Sequence, residues 1–158
     1  MATSSTYSIL VSVDDPYASR VSAEWIEGVA RRVLEAEGLL AAELGVVVTD
    51  DETVRELNRD YAGKDEATDV LSFSLREGEE FVAAPDGVLR LGEVIIAYPT
   101  AERQAAAAGR PVAAEVAHLL VHGILHLLGY DHAEPEEERW MRAREEELLR
   151  AADSASAL

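Results

Sequence analysis

The sequence predicts one α+β domain, a small mixed sheet of about four strands covered by about five helices, with a buried helix at its centre. Three observations predict it. Apolar residues alternate at period two in some segments, as in Ile9, Val11 and Val13, and recur every four residues in others, as in Trp25, Val29 and Val33. These segments follow in the order β-α-β-α-β-β-α-α-α, which places helices against a mixed sheet. The segment from Pro111 to about Leu128 is apolar nearly all round, the pattern of an enclosed helix. With 158 residues the chain has room for one domain with a real core and not for two typical ones. Residues 1–158 are therefore read as a single domain, with an ordered core at 7–151 and frayed tails at 1–6 and 152–158.

Each element has its own signal. Tyr7 to Val13 alternates as a strand, and Asp14-Asp15-Pro16 breaks it. Ser22 opens a helix whose face is Trp25, Val29 and Val33, widened by Ile26 and Ala30, and Gly38 closes it. Leu44 to Thr49 is a buried strand around Val46-Val47-Val48. Asp50 or Asp51 caps the next helix, with Val54, Leu57 and Tyr61 as its inward stripe and Gly63 at its end. Val70 to Leu75 is the third strand. A loop rich in Gly, Glu and Pro follows, and Asp86-Gly87 marks a turn in a small hairpin over Phe81–Val88. Leu91 to Ala97 is the fourth strand. Pro99 or Thr100 starts an alanine-rich helix that Gly109 stops, and Pro111 suits the first turn of the apolar helix. Glu134 to Ala151 is a last, highly charged helix in which Trp140, Leu148 and Leu149 pack inward and the charges form a solvated face.

Composition removes several function classes. The chain has no cysteine, hence neither a disulfide framework nor a thiolate metal site. Met1 to Tyr7 is polar, with no basic region leading into an apolar one, and no segment approaches 18 uninterrupted apolar residues. A cytoplasmic protein without a membrane partner is expected. Against 31 acidic residues stand 14 basic ones, giving a formal charge of −17. Such a surface repels nucleic acid at long range, so RNA binding would need a local basic patch or a partner protein supplying positive charge.

All four histidines lie between His118 and His132. His122 and His126 are four apart and share one helix face, while Gly129 lets the chain turn back and bring His132 to the same point. Along a helix His122 and His126 are separated by roughly 6 Å of rise, and His118 and His126 by roughly 12 Å. One ion at about 2.0 Å from each nitrogen accepts the nearer pair and not the farther. His118 is therefore expected beside the ligands, holding a ligand or a carboxylate in place. A lone histidine on such a helix is more often a packed core residue. Three at i, i+4 and i+10 point to one zinc ion with an open fourth position, although nickel or iron also accepts imidazole.

The half His126-x-x-Gly129-x-x-His132 has the spacing of the metzincin zinc peptidases, and a zincin-like domain is expected. Gly123 stands where their HExxH motif carries its glutamate base, which ranks peptide hydrolysis below other metal-dependent hydrolysis. The whole run His122-Gly123-Ile124-Leu125-His126-Leu127-Leu128-Gly129-Tyr130-Asp131-His132 resembles the signature of the YbeY family, RNA-processing metalloproteins of bacteria. Leu57-Asn58-Arg59-Asp60-Tyr61, continuing through Gly63-Lys64-Asp65 to Thr68-Asp69-Val70-Leu71-Ser72-Phe73, resembles a second family block. Leu91-Gly92-Glu93-Val94-Ile95-Ile96 resembles a third, and together they span about residues 44 to 149.

This resemblance implies one zinc on His122, His126 and His132. It implies a single-strand-specific endoribonuclease used in ribosomal RNA maturation and ribosome quality control, with ribosome-associated proteins as partners. It also implies an RNA cleft between the metal and the strand at Ser72-Phe73, with Asn58, Arg59 and Tyr61 on its rim. Ala62 stands where members usually carry an arginine thought to engage RNA, leaving Arg55, Arg59 or Lys64 to supply a cation. Ala67 stands where they often carry proline. Asp131 is the carboxylate nearest the ligands and the candidate to take a proton, against a purely helix-end role. Two other readings stand beside this one: a metal-dependent hydrolase of another bond, peptide included, and a non-catalytic ribosome-assembly factor with structural zinc. A structural site normally has four protein ligands, and only three are found here.

Overall fold

In the computed structural model, which describes residues 6–63, 68–74, 88–129 and 135–156, the first alternating segment forms β1 (Thr6–Val13). Pro16 stops the strand but does not stop regular structure. Its fixed φ suits a first helical turn, and Asp15–Ala18 forms a short helix, α1, that the sequence reading missed. Ser22 caps α2 (Ala23–Ala36), its hydroxyl accepting from the Trp25 N–H at 3.2 Å. β2 (Ala41–Thr49) begins three residues before the expected Leu44, because Ala41 already pairs with Thr6 of β1. Of the two possible caps for α3 (Asp51–Ala62) the chain uses Asp50, whose carboxylate accepts from the Thr53 N–H at 2.6 Å.

β3 (Val70–Ser74) and β4 (Leu89–Ala97) complete one four-stranded sheet in the order β1-β2-β4-β3. The first three are parallel to one another, and β3 runs antiparallel along β4 as an edge. The hairpin expected over Phe81–Val88 lies, apart from Val88, outside the described residues. Gly92 sits where the β2–β4 register slips at Glu43/Leu44. Its φ of 130° excludes other residues, and a Cβ there would stand 1.9 Å from the Phe73 carbonyl oxygen.

Helices α4 (Tyr98–Ala108), α5 (Val112–Leu127) and α6 (Pro135–Ser156) follow. With α1 they make six helices among the described residues rather than about five. Pro111 takes the cap position of α5 rather than its first turn, and α6 runs to Ser156 rather than Ala151. No helix among the described residues is long and apolar enough to cross a membrane.

One sheet face carries the main core. Val46 and Ile96 meet Ile26, Val33 and Leu34 of α2 and Leu120 and Ile124 of α5, all fully buried. The opposite face is covered by α3 over a smaller patch of Val54, Ile95 and Ala97, with Leu57 and Phe73 packed on it. That patch is too short to reach the last turn of α3. Tyr61, expected to point inward, is 73% exposed and rests against Phe73 at 5.5 Å between ring centroids.

Asp51 ties α3 to α4. Its carboxylate accepts from Thr100 Oγ1 at 2.8 Å and from Arg103 Nη2 at 2.7 Å. Burial alone would raise this carboxyl, but the hydrogen bonds from Arg103 and Thr100 and the Arg103 charge outweigh it and hold it below its usual 3.8. A depressed folded-state pKa contributes stability above the unfolded value and loses it as pH falls. Thermal midpoints should therefore fall on acidification from about pH 5 to about pH 3, and Arg103→Leu should flatten that fall. Equal slopes in the two proteins would refute the assignment.

Candidate metal centre

Helix α5 lies between the sheet and α6, and it ends at Leu127 with Leu128 as its C-cap and Gly129 beyond at a φ of 100°. Near that end, His122 is half-buried and His126 is exposed, both on one face of the helix. The helix comes unusually close to the sheet between them. A Cβ on Gly123 would lie 2.7 Å from Val94 Cγ1 and 3.2 Å from Ser72 Oγ, and the Ser72 hydroxyl donates to the Gly123 carbonyl at 3.2 Å. At the position that holds the glutamate base in metzincins, a side chain here could enter only by displacing Val94.

On its other side α5 meets a carboxylate that sequence reasoning missed. Glu145 of α6 is 7% exposed, and its Oε1 stands 2.6 Å from His122 Nδ1. Its Oε2 stands 3.4 Å from His118 Nε2. Burial would raise the Glu145 carboxyl, but the hydrogen bonds and charges of His118 and His122 override it and bring the pKa down to about 2. The hydrogen bond to Glu145 raises the His118 pKa against the opposing effect of burial. His118 Nδ1, which has no hydrogen-bond partner among the described residues, lies 3.7 Å from Glu115 Oε1. Glu115, 5% exposed, is held in turn by Arg110, whose Nε lies 3.1 Å away. Arg110, Glu115, His118, Glu145 and His122 therefore form one polar row between α5 and α6.

The charged run of α6 is accordingly not only a solvated face. Met141, Glu145 and Leu148 are all buried, at i, i+4 and i+7. A glutamate in register with two apolar core positions is the signal that would have found it.

The other predicted residues divide. Asn58 is buried within α3, whereas Arg59 is exposed and ion-paired to Asp60 at 3.2 Å. Ser72 and Phe73 leave opposite faces of the edge strand, Ser72 toward α5 and Phe73 toward α3 and Tyr61. The edge strand thus has helix α5 on one side and an aromatic pair on the other. Lys64, Asp131 and His132 lie outside the described residues, and among the described residues no three metal-binding side chains converge.

A family model described as Endoribonuclease YbeY matches residues 12–153. The chain is 48% identical over 125 residues to an endoribonuclease YbeY of Desulforamulus reducens, covering 78% of this chain and 82% of the relative. It is 44% identical over 147 residues to one from Dehalococcoides mccartyi, covering 87% and 92%, and 47% identical over 138 residues to one from Geobacillus kaustophilus, covering 83% and 88%. The fold is similar to the solution structure of TM1509 from Thermotoga maritima, with a TM-score of 0.66 at 23% identity, covering 94% of this chain and 91% of that one.

Since Val94 is β-branched and cannot easily swing away, Gly123→Ala should destabilise the fold by about 1–3 kcal/mol in denaturant titration. Gly123→Glu, which restores the HExxH pattern, should fold worse still and gain no peptidase activity. A stable, proteolytic Gly123→Glu protein would show that the close approach of helix and sheet is not limiting.

Proposed function

The chain belongs to the endoribonuclease YbeY family, and on that premise we propose that it is a zinc-dependent, single-strand-specific endoribonuclease. Its place is the cytoplasm, where it acts in ribosomal RNA maturation and ribosome quality control alongside ribosome-associated proteins. The observation that carries the chemistry is the pair His122 and His126 on one face of α5, with His122 Nδ1 engaged by a carboxylate. Three imidazoles without a thiolate fit zinc, and His132 is the third ligand in this reading. Nickel or iron fits the same donors.

When bound, the ion supplies Lewis-acid polarisation of a phosphoryl oxygen at neutral pH. His122 and His126 would hold it, and the Ser72–Gly123 contact fixes the helix that carries them against the edge strand. Across that strand, Tyr61 and Phe73 offer aromatic faces to an unpaired base. Bases are available for stacking in single strands and not inside a duplex, which accounts for strand preference. Asp131, adjacent to His132, takes the proton of the attacking hydroxyl.

Charge constrains the substrate encounter. The formal charge is −17, Ala62 removes a cation, and Arg59 is already engaged with Asp60. RNA affinity then rests on short-range contacts and on positive charge from a ribosomal partner.

The zinc-loaded protein should cleave single-stranded ribosomal RNA, and His126→Ala should lose both its zinc, by elemental analysis, and the cleavage. Full zinc in His126→Ala would overturn the ligand assignment. Zinc-loaded protein without cleavage would favour a non-catalytic assembly factor, and cleavage of peptide alone a different hydrolase. Product ends separate attack by water from attack by the RNA's own 2′-hydroxyl. A 2′,3′-cyclic phosphate would assign the first step to the RNA's own 2′-hydroxyl, and a substrate with 2′-deoxyribose at the cut site should then resist cleavage.

A further inference from the structure

We infer that Glu145 is the positioning residue of this centre: its carboxylate, steadied by His118, holds the His122 ring so that Nε2 faces outward as the metal-binding nitrogen. The inference rests on the zinc reading of the same site and adds the part played by α6.

The argument is geometric. Glu145 offers one oxygen to each of two imidazoles on the neighbouring helix, Oε1 to His122 Nδ1 at 2.6 Å and Oε2 to His118 Nε2 at 3.4 Å. A carboxylate accepts and does not donate, so the proton of the hydrogen bond belongs to His122 Nδ1. A neutral imidazole with hydrogen on Nδ1 carries its lone pair on Nε2. Nδ1 is then committed to the carboxylate before any ion arrives, and the lone pair is left on Nε2. His122 has further interactions besides this one, so Glu145 governs Nδ1 and not the whole ring.

The carboxylate is itself fixed. Met141 and Leu148 bury the same side of α6 one turn to either side. Arg144, next to Glu145, binds Glu37 at 3.1 Å and the Ala36 carbonyl at 2.9 Å, tying α6 to the end of α2. Oε2 is occupied by His118, whose far side faces Glu115 and Arg110. A buried charge so surrounded has little freedom to turn, and whatever it grips is held equally firmly. Carboxylate–imidazole–metal arrangements of this kind orient ligands and raise their basicity. The assignment gives His118 a function without making it a ligand.

Two measurements test this on the full-length protein. Zinc affinity is read by competition with a chelator for the wild type, Glu145→Ala, Glu145→Gln and His118→Ala, each checked for folding by circular dichroism. Glu145→Ala should bind zinc about 10- to 100-fold more weakly. Glu145→Gln, whose amide oxygen still accepts from Nδ1–H, should fall between it and the wild type, and His118→Ala should weaken binding less than Glu145→Ala. Nitrogen-15 NMR of the metal-free protein should find His122 protonated at Nδ1, and Glu145→Ala should lose that preference. Wild-type zinc affinity in a folded Glu145→Ala, or a wild-type His122 protonated at Nε2, would overturn the inference. If the wild type took up no zinc, the zinc reading would fall by itself and the tautomer would still decide the role of Glu145. Should Glu145→Ala not fold, Glu145→Gln carries the affinity comparison, and the wild-type tautomer needs no variant.

Discussion

The approach of α5 to the sheet at Gly123 is the constraint on which the rest of the molecule depends. A helix normally stands off a sheet by the length of the side chains between them. Here Val94 and Ser72 occupy the space a Cβ would take, and the helix backbone accepts a hydrogen bond from the strand. That contact sets the height of α5 above β3 and β4. It thereby sets the position of His122 and His126 relative to the edge strand along which the proposed substrate lies. The glycine that makes this possible is also the residue whose lack of a side chain separates the site from the metzincin peptidases. One packing requirement and one chemical distinction meet at a single position.

The second face of α5 is held by charge. Burying a carboxylate costs several kcal/mol even after the structure relaxes, and such groups persist only when their hydrogen-bonding capacity is met. Glu115 and Glu145 are both buried, and both face α5 imidazoles. Well-packed apolar residues at these places would serve stability as well or better. The row from Arg110 to His122 is therefore better accounted for by what it does to the imidazoles than by what it adds to the fold. Helix α6 is needed for this, since it brings Glu145 across from the far end of the chain.

Net charge bears on the partner rather than on the fold. A surface with formal charge −17 is poor at capturing RNA from a distance. The exposed Tyr61 against Phe73 offers contact of a different kind, sequence-tolerant and short-ranged. A protein of this charge depends on such short-range contact more than on long-range attraction of a polyanion.

Much was legible from sequence because it is local. Period-two and period-3.6 patterns gave the four strands and the long helices, and Ser22, the pair Asp50 and Asp51, and Gly129 marked ends through capping and turn geometry that act within a few residues. The i, i+4 pair His122 and His126 follows from helix geometry alone, and so does the place of His118 one turn away. Other features were decided by contacts between distant segments. Pairing with β1 made β2 begin at Ala41, and the short reach of the sheet beneath α3 left Tyr61 in solvent. Glu145 meets His122 across 23 residues of sequence, and in a run of acidic residues only its register with Met141 and Leu148 distinguishes it. The sequence by itself determined which imidazoles share one face of a helix, because that depends on helical spacing alone. Tertiary structure alone decided which carboxylate meets His118 and His122 and why a side chain at position 123 would crowd Val94, because both depend on how closely two surfaces approach.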